Sequence, residues 1–223
     1  MNDDSAAANV DEYTRIDALA NFNFSEKFSA GLLGYFNLGD NDDTSYYTYG
    51  GYFNFKFHPS VAFKGIYYYQ SQDDNLVNVD EDSANAWKAI LDINQDLLKF
   101  TSLWLEYGQR DNNFAYDNYA YDHYGGNASA NEPTNTNTSK IIFVKAAQKW
   151  GETKWDSYLR YMHVDYDTTG IDDFQQIGVS IGYQWNPAVH FELLYDNLDY
   201  GNDVGNSRVD DDHVIMFRTQ VAF

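Results

Sequence analysis

Apolar and polar side chains alternate with a period of two along most of this chain, which restricts it to strands whose two faces meet different surroundings. The run 174–185 is the cleanest. Ile177, Val179, Ile181, Tyr183 and Trp185 share one face, and Gln176, Gly178, Ser180, Gly182 and Gln184 the other. Eleven such runs can be marked off: 13–24, 28–38, 46–57, 61–70, 86–94, 99–110, 140–150, 155–166, 174–185, 189–196 and 213–223. The run 140–150 is the least cleanly phased.

The connections alternate in length. Tight turns are expected at 25–27, 58–60, 95–97, 151–154 and 186–188, and longer polar loops at 39–45, 71–85, 111–139, 167–173 and 197–212. A strand barrel in a membrane needs this segregation, with short turns at one rim and long loops at the other. A soluble sandwich has no reason for it. Aromatic residues bracket the tight turns: Phe24 and Phe28, Phe57 and Phe63, Trp150 and Trp155, Trp185 and Phe191. Amphipathic rings are favoured at a membrane–water boundary.

Composition sharpens the choice. Aromatics make up 18% of the 223 residues, yet the net charge is −20 and the mean hydropathy −0.59. A soluble core would hold more Leu, Ile and Val, and a disordered acidic chain would lack the aromatics. A barrel with an apolar outside, a polar lumen and charged loops reconciles the two. No run of 18 apolar residues occurs, so no transmembrane helix is expected. There is no Cys, and so no disulfide or thiol chemistry. The acidic balance argues against nucleic acid as a partner. The expected fold is therefore all-β: an antiparallel transmembrane β-barrel over 11–223, with 1–10 as an outer-loop remnant.

Parity adds one more expectation. The last run must end at the short-turn rim, so the first begins at the long-loop rim. Barrels with an even strand number and both termini at the short-turn rim would then need at least one strand upstream, which makes the chain an N-terminally truncated barrel. Met1-Asn2-Asp3-Asp4 does not open a signal peptide.

Candidate pore-lining residues are the charges on the polar face: Arg15, Lys56, Lys64, Lys88, Arg110, Arg160 and Arg218 against Asp17, Asp92, Glu106 and Glu192. Opposed rows could set up a transverse field that orients solutes. They could equally salt-bridge and merely keep the wall polar. The loop 111–139, with Phe114, Tyr116, Tyr119, Tyr121 and Tyr124, reads first as an ordered outer loop and second as a constriction in the lumen. The acidic clusters at 40–43, 80–82, 172–173 and 210–212 lack the spacing of a Ca²⁺ loop and read as a solvated rim. His58, His123, His163, His190 and His213 form no metal motif. No catalytic residue, metal ligand or cofactor is expected. The function expected is passive diffusion of small hydrophilic solutes and ions. The alternatives are a non-conducting anchor or adhesin, and a barrel hydrolase using His163 with Asp165, or His213 with Asp211 or Asp212.

The stretch 87–108 (WKAILDINQDLLKFTSLWLEYG), the blocks 143–150 (FVKAAQKW) and 186–193 (NPAVHFEL), and the ending 211–218 (DDHVIMFR) carry a resemblance. The chain resembles, over residues 11–223, the barrel of OmpM-type porins, outer-membrane porins of diderm Firmicutes that carry S-layer-homology domains. Phe223, ending an alternating run, resembles the C-terminal signal of such barrels. The resemblance implies a homotrimeric diffusion pore whose partners are outer-membrane lipid and small polar solutes. It also implies a cell-wall tether through an N-terminal S-layer-homology domain and coiled coil. Neither lies in these residues, so the tether is not carried over.

Overall fold

The computed structural model describes residues 13–39, 46–72, 83–111, 114, 138–166, 172–199 and 212–222, without the side chains of 13–15, 37–39, 46 and 72. The expected remnant at 1–10, most of the long loops, His123 and Phe223 lie outside these residues.

Eleven antiparallel strands form one sheet in sequence order. They are β1 (Tyr13–Asn23), β2 (Phe28–Gly39), β3 (Tyr46–His58), β4 (Val61–Gln72), β5 (Ser83–Ile93), β6 (Ser102–Arg110), β7 (Ser139–Lys149), β8 (Trp155–Tyr166), β9 (Phe174–Asn186), β10 (Val189–Asp199) and β11 (Asp212–Val221). The strands span 9 to 13 residues, the length a tilted strand needs to cross a bilayer core. Every strand pairs with its neighbours in sequence. Among the described residues no ladder joins β1 to β11. These two edges run in the same direction, from the loop rim to the turn rim.

The faces fall as the alternation predicts. Outward residues are exposed down most strands: Ile181 is 50% and Phe217 67% accessible, and Leu32, Tyr67, Leu159 and Val179 behave likewise, while those of β5 are half-buried. A continuous apolar face of this extent exceeds what a soluble monomer carries. Phe24, Phe57, Trp150, Trp155 and Trp185 stand exposed at the turn rim. Phe57 and Trp185 are the extra residues where the ladders slip, between Lys56 and His58 and between Val189 and His190. A bulge at a barrel rim re-aims a side chain, and here it aims rings outward. Towards the loop rim the outward rings are mostly tyrosines, among them Tyr47, Tyr49, Tyr69 and Tyr195.

Two local expectations need correction. The connection at 95–97 is a one-turn helix, α1 (Gln95–Leu98), and β6 starts at Ser102 rather than at Lys99. Lys99 in the left-handed region ends the helix (φ 70°). Gln95 explains why the longer connection stays ordered. Its side chain donates to Lys149 O at 2.9 Å and accepts from Lys149 N at 2.8 Å, pinning α1 to the end of β7.

The inner face is less polar than alternation suggests. One apolar cluster joins Ile141, Phe143, Met162, Val164, Phe174 and Leu198 of β7–β10, with Trp104 packed against it. Another joins Leu33, Tyr68, Ala84 and Ala86 of β2, β4 and β5 with Phe114.

These faces predict opposite responses to charge. Ile181→Arg should destabilise the chain in lipid vesicles by about 2–4 kcal/mol if the site lies near the bilayer centre. Urea unfolding monitored by tryptophan fluorescence measures it. An unchanged midpoint would place this face out of the membrane.

Candidate functional site

The polar side chains of the inner face concentrate between the apolar clusters and the turn rim. Adjacent strands supply partners directly. Lys64 on β4 donates to Asp92 on β5 at 2.7 Å. Lys88 on β5 lies 3.3 Å from Glu106 on β6, and both are almost fully buried. Trp104 Nε1 donates to the other Glu106 oxygen at 3.1 Å. Glu192 on β10 accepts from Arg218 Nε on β11 at 2.8 Å and from Ser180 Oγ on β9 at 2.7 Å.

Two further pairs span a strand. Arg160 on β8 reaches over β9 to Asp196 on β10, with Nε 3.1 Å from Oδ1 and Nη2 on the other oxygen. His190 Nε2 on β10 meets Asp156 Oδ2 on β8 at 2.9 Å. In both cases the residue between is a glycine. A Cβ on Gly178 would collide with Asp196 Oδ1 and Arg160 Nε, and one on Gly182 with Asp156 Oδ1 and His190 Nε2. The glycines of β9 therefore leave room for the side chains that cross it.

Two cavities open on this face. A chamber of about 590 Å³ is bounded by β3 to β8, among others by Tyr52, Ile66, Ile90, Trp104 and Phe143. A vestibule of about 600 Å³ lies at the turn rim, next to His190, Glu192, Arg218 and α1. Ser102, Lys145 and Ala147 line both. That residues from β3 and from β8 bound one space shows that the sheet curls around it.

Of the residues singled out from sequence, Lys64, Lys88, Asp92, Glu106, Arg160, Glu192 and Arg218 lie in this ion-pair belt. Arg110 is buried at the loop end of β6. Lys56 stands exposed at the turn rim. Asp17 shares a row with Tyr35, Thr48 and Gln70. Arg15 pairs with Asn37 in the ladder, and its side chain lies outside the described ones. Sequence reasoning missed Asp196, Asp156 and Lys145 as site residues. The first two were legible only by noting that glycines sit between them and their partners.

Of the aromatic residues in the loop 111–139 only Phe114 is among the described residues, and it packs on Leu33, Tyr68, Ala84 and Ala86. It is 2% exposed and its ring centroid lies 6.3 Å from that of Tyr68, on the inner face. Asp111 sets this up by accepting from Asn85 N at 2.8 Å, while Phe114 N donates back to Asp111 O. Tyr116, Tyr119, Tyr121 and Tyr124 lie outside the described residues. The histidines considered for hydrolysis are placed elsewhere. His163 Nε2 lies 3.6 Å from Asp173, while Asp165 is 4.0 Å from Lys140. The His213 ring faces Tyr195 and Asn197.

No family model matches the chain, and no curated protein matches it in sequence. Among solved structures it is similar to the "CymD monoaromatic hydrocarbon channel", with a TM-score of 0.51 and 10% identity over 94% of this chain and 73% of that one. The shared feature is the fold. It is an all-β antiparallel sheet of eleven strands, similar in fold to the barrel of an outer-membrane channel.

The Arg160–Asp196 pair gives a stability test. Asp196→Ala leaves a guanidinium buried without its anion and should cost about 3–5 kcal/mol. Arg160→Met with Asp196→Leu removes both charges and should recover most of that loss. Asp92→Ala, at a pair with 28% exposure on each side, should cost about 1 kcal/mol or less. Equilibrium unfolding of the refolded chain in micelles compares the variants. Equal losses for Asp196→Ala and Asp92→Ala would contradict the difference in burial.

Proposed function

We propose that this chain forms the wall of an outer-membrane channel for passive movement of small solutes. The observation that carries the proposal is the pairing of two faces on one sheet. The outer face exposes apolar side chains along ten of the eleven strands and half-exposes those of β5. The inner face holds buried ion pairs beside two cavities that share lining residues. Hydrocarbon can solvate the first and not the second. The likeness of the fold to a channel supports the same reading.

The inner apolar clusters favour a narrow path over a wide water column. Small hydrophilic solutes and ions remain the class expected to pass, with an upper size limit set by the chamber. The narrower kinship with S-layer-homology porins belongs to this reading and rests on the sequence blocks alone. So does the homotrimer, for which cross-linking in micelles should give a species of three times the chain mass. A single-mass band at all cross-linker concentrations would remove it.

Planar-bilayer recording tests the central claim. The full chain refolded in detergent and added to a lipid bilayer should produce discrete conductance steps. Proteoliposomes should swell in small sugars and not in large ones. No steps and no swelling, with the strand content intact by circular dichroism, would sink the channel reading in favour of a structural mount for the loops.

A further inference from the structure

We propose that the chamber bounded by β3–β8 binds small aromatic carboxylates, with the ammonium of Lys145 as the anion's partner; this deepens the channel reading and relies on it for how the ligand arrives. The first support is a count of charges. The chamber is lined by the cations Lys64, Lys88, Lys145 and Arg160 and the carboxylates Asp92 and Glu106. Three of the cations already have anions: Asp92, Glu106 and Asp196 respectively serve Lys64, Lys88 and Arg160. Lys145 has none within salt-bridge distance among the described residues. Its ammonium instead lies 4.1 Å from the centroid of the Tyr158 ring. A cation held over a ring face in a low-dielectric site gains much more from a carboxylate. The carboxylates Glu192 and Asp156 act on Lys145 from the vestibule, where they pair with Arg218 and His190, so the ammonium has anions nearby and none in contact.

The second support is the wall. Lys145 shares a row with Trp104 on one side and Arg160 on the other. Trp104, Phe143, Tyr52, Ile66 and Ile90 provide flat and aliphatic surfaces around the same space. Lys64 covers one face of Trp104 at 4.4 Å from the ring centroid, so a planar ring can lie against Phe143 and the remaining surface of Trp104 while its carboxylate accepts from Lys145. A volume of about 590 Å³ falls in the range of small-molecule sites, which combine apolar lining with few polar groups. An aromatic amine would bring a like charge to Lys145. A neutral hydrocarbon would leave Lys145 without its counterion.

The third support is position. Lys145 lines the vestibule as well as the chamber. A ligand moving between the two passes its ammonium, so the site lies on the path rather than beside it.

Calorimetric titration of the full chain in uncharged micelles tests this with benzoate, benzylamine and benzyl alcohol. Benzoate should bind saturably and about tenfold or more tightly than either of the others, the margin of one charge-assisted hydrogen bond. Lys145→Gln should erase that preference, and Lys145→Arg should restore most of it. Equal binding of benzoate and benzyl alcohol to the unmodified chain overturns the proposal without need of a variant. So does a benzoate preference that survives Lys145→Gln. Swelling of proteoliposomes in small sugars separates this site from the channel reading. Benzoate binding without any solute passage would end the channel and keep the site. Sugar passage without benzoate preference would do the reverse.

Discussion

In the membrane setting proposed for this sheet, every backbone N–H and C=O must find its partner in the next strand, because hydrocarbon offers none. The rest of the architecture follows from that requirement. It accounts for strands of similar length, each laddered to its sequence neighbours, with short connections at one rim. It also bears on the two edges. Strands β1 and β11 run the same way, so a ladder between them would be parallel. An antiparallel closure needs an odd number of further strands between them. Among the described residues nothing covers the inner side of β1, where Leu19 faces inward by register with Leu33 and is 65% exposed.

With the backbone satisfied by the ladders, side chains are free to answer to their surroundings, and the two faces differ in what they are asked. The proposed lipid contact makes one demand at every outward position. The inside makes many. It is narrow enough that Lys88, Glu106, Arg160 and Asp196 are buried, so each charge must meet another or cost several kcal/mol. Strand geometry limits how. Diagonal positions on adjacent strands serve Lys64–Asp92 and Lys88–Glu106, whereas Arg160–Asp196 and Asp156–His190 need a position without a side chain on the strand between. Gly178 and Gly182 are that gap.

This difference decides how much could be read from the sequence. The outer face was legible because a uniform demand leaves a uniform period, as in Ile177, Val179 and Ile181. The rim aromatics were legible for the same reason. In β7 the period fails. Ile141 and Phe143 turn inward onto Met162 and Val164, while Ile142 and Val144 turn outward, so apolar residues occupy both faces and hide Lys145 among them. Phe114 was hidden differently. A ring in an acidic loop reads as a surface feature unless one knows that Asp111 caps Asn85 and turns the chain inward. The helix α1 depends on Gln95 reaching Lys149, a contact 54 residues away in sequence, and no local pattern encodes it.

The choice between a transverse field and a paired wall can be argued from distance. Two opposite charges in contact act at longer range as a dipole, and their potential falls faster than that of a single charge. Lys64–Asp92, Lys88–Glu106, Arg160–Asp196 and Arg218–Glu192 are all in contact. Their fields largely cancel a few ångströms into the lumen, so they hold the wall together more than they act on a solute. What remains for a solute to feel is a charge without a contact partner. On the described inner wall of the chamber that charge is Lys145, set between Trp104 and Arg160 where the chamber meets the vestibule.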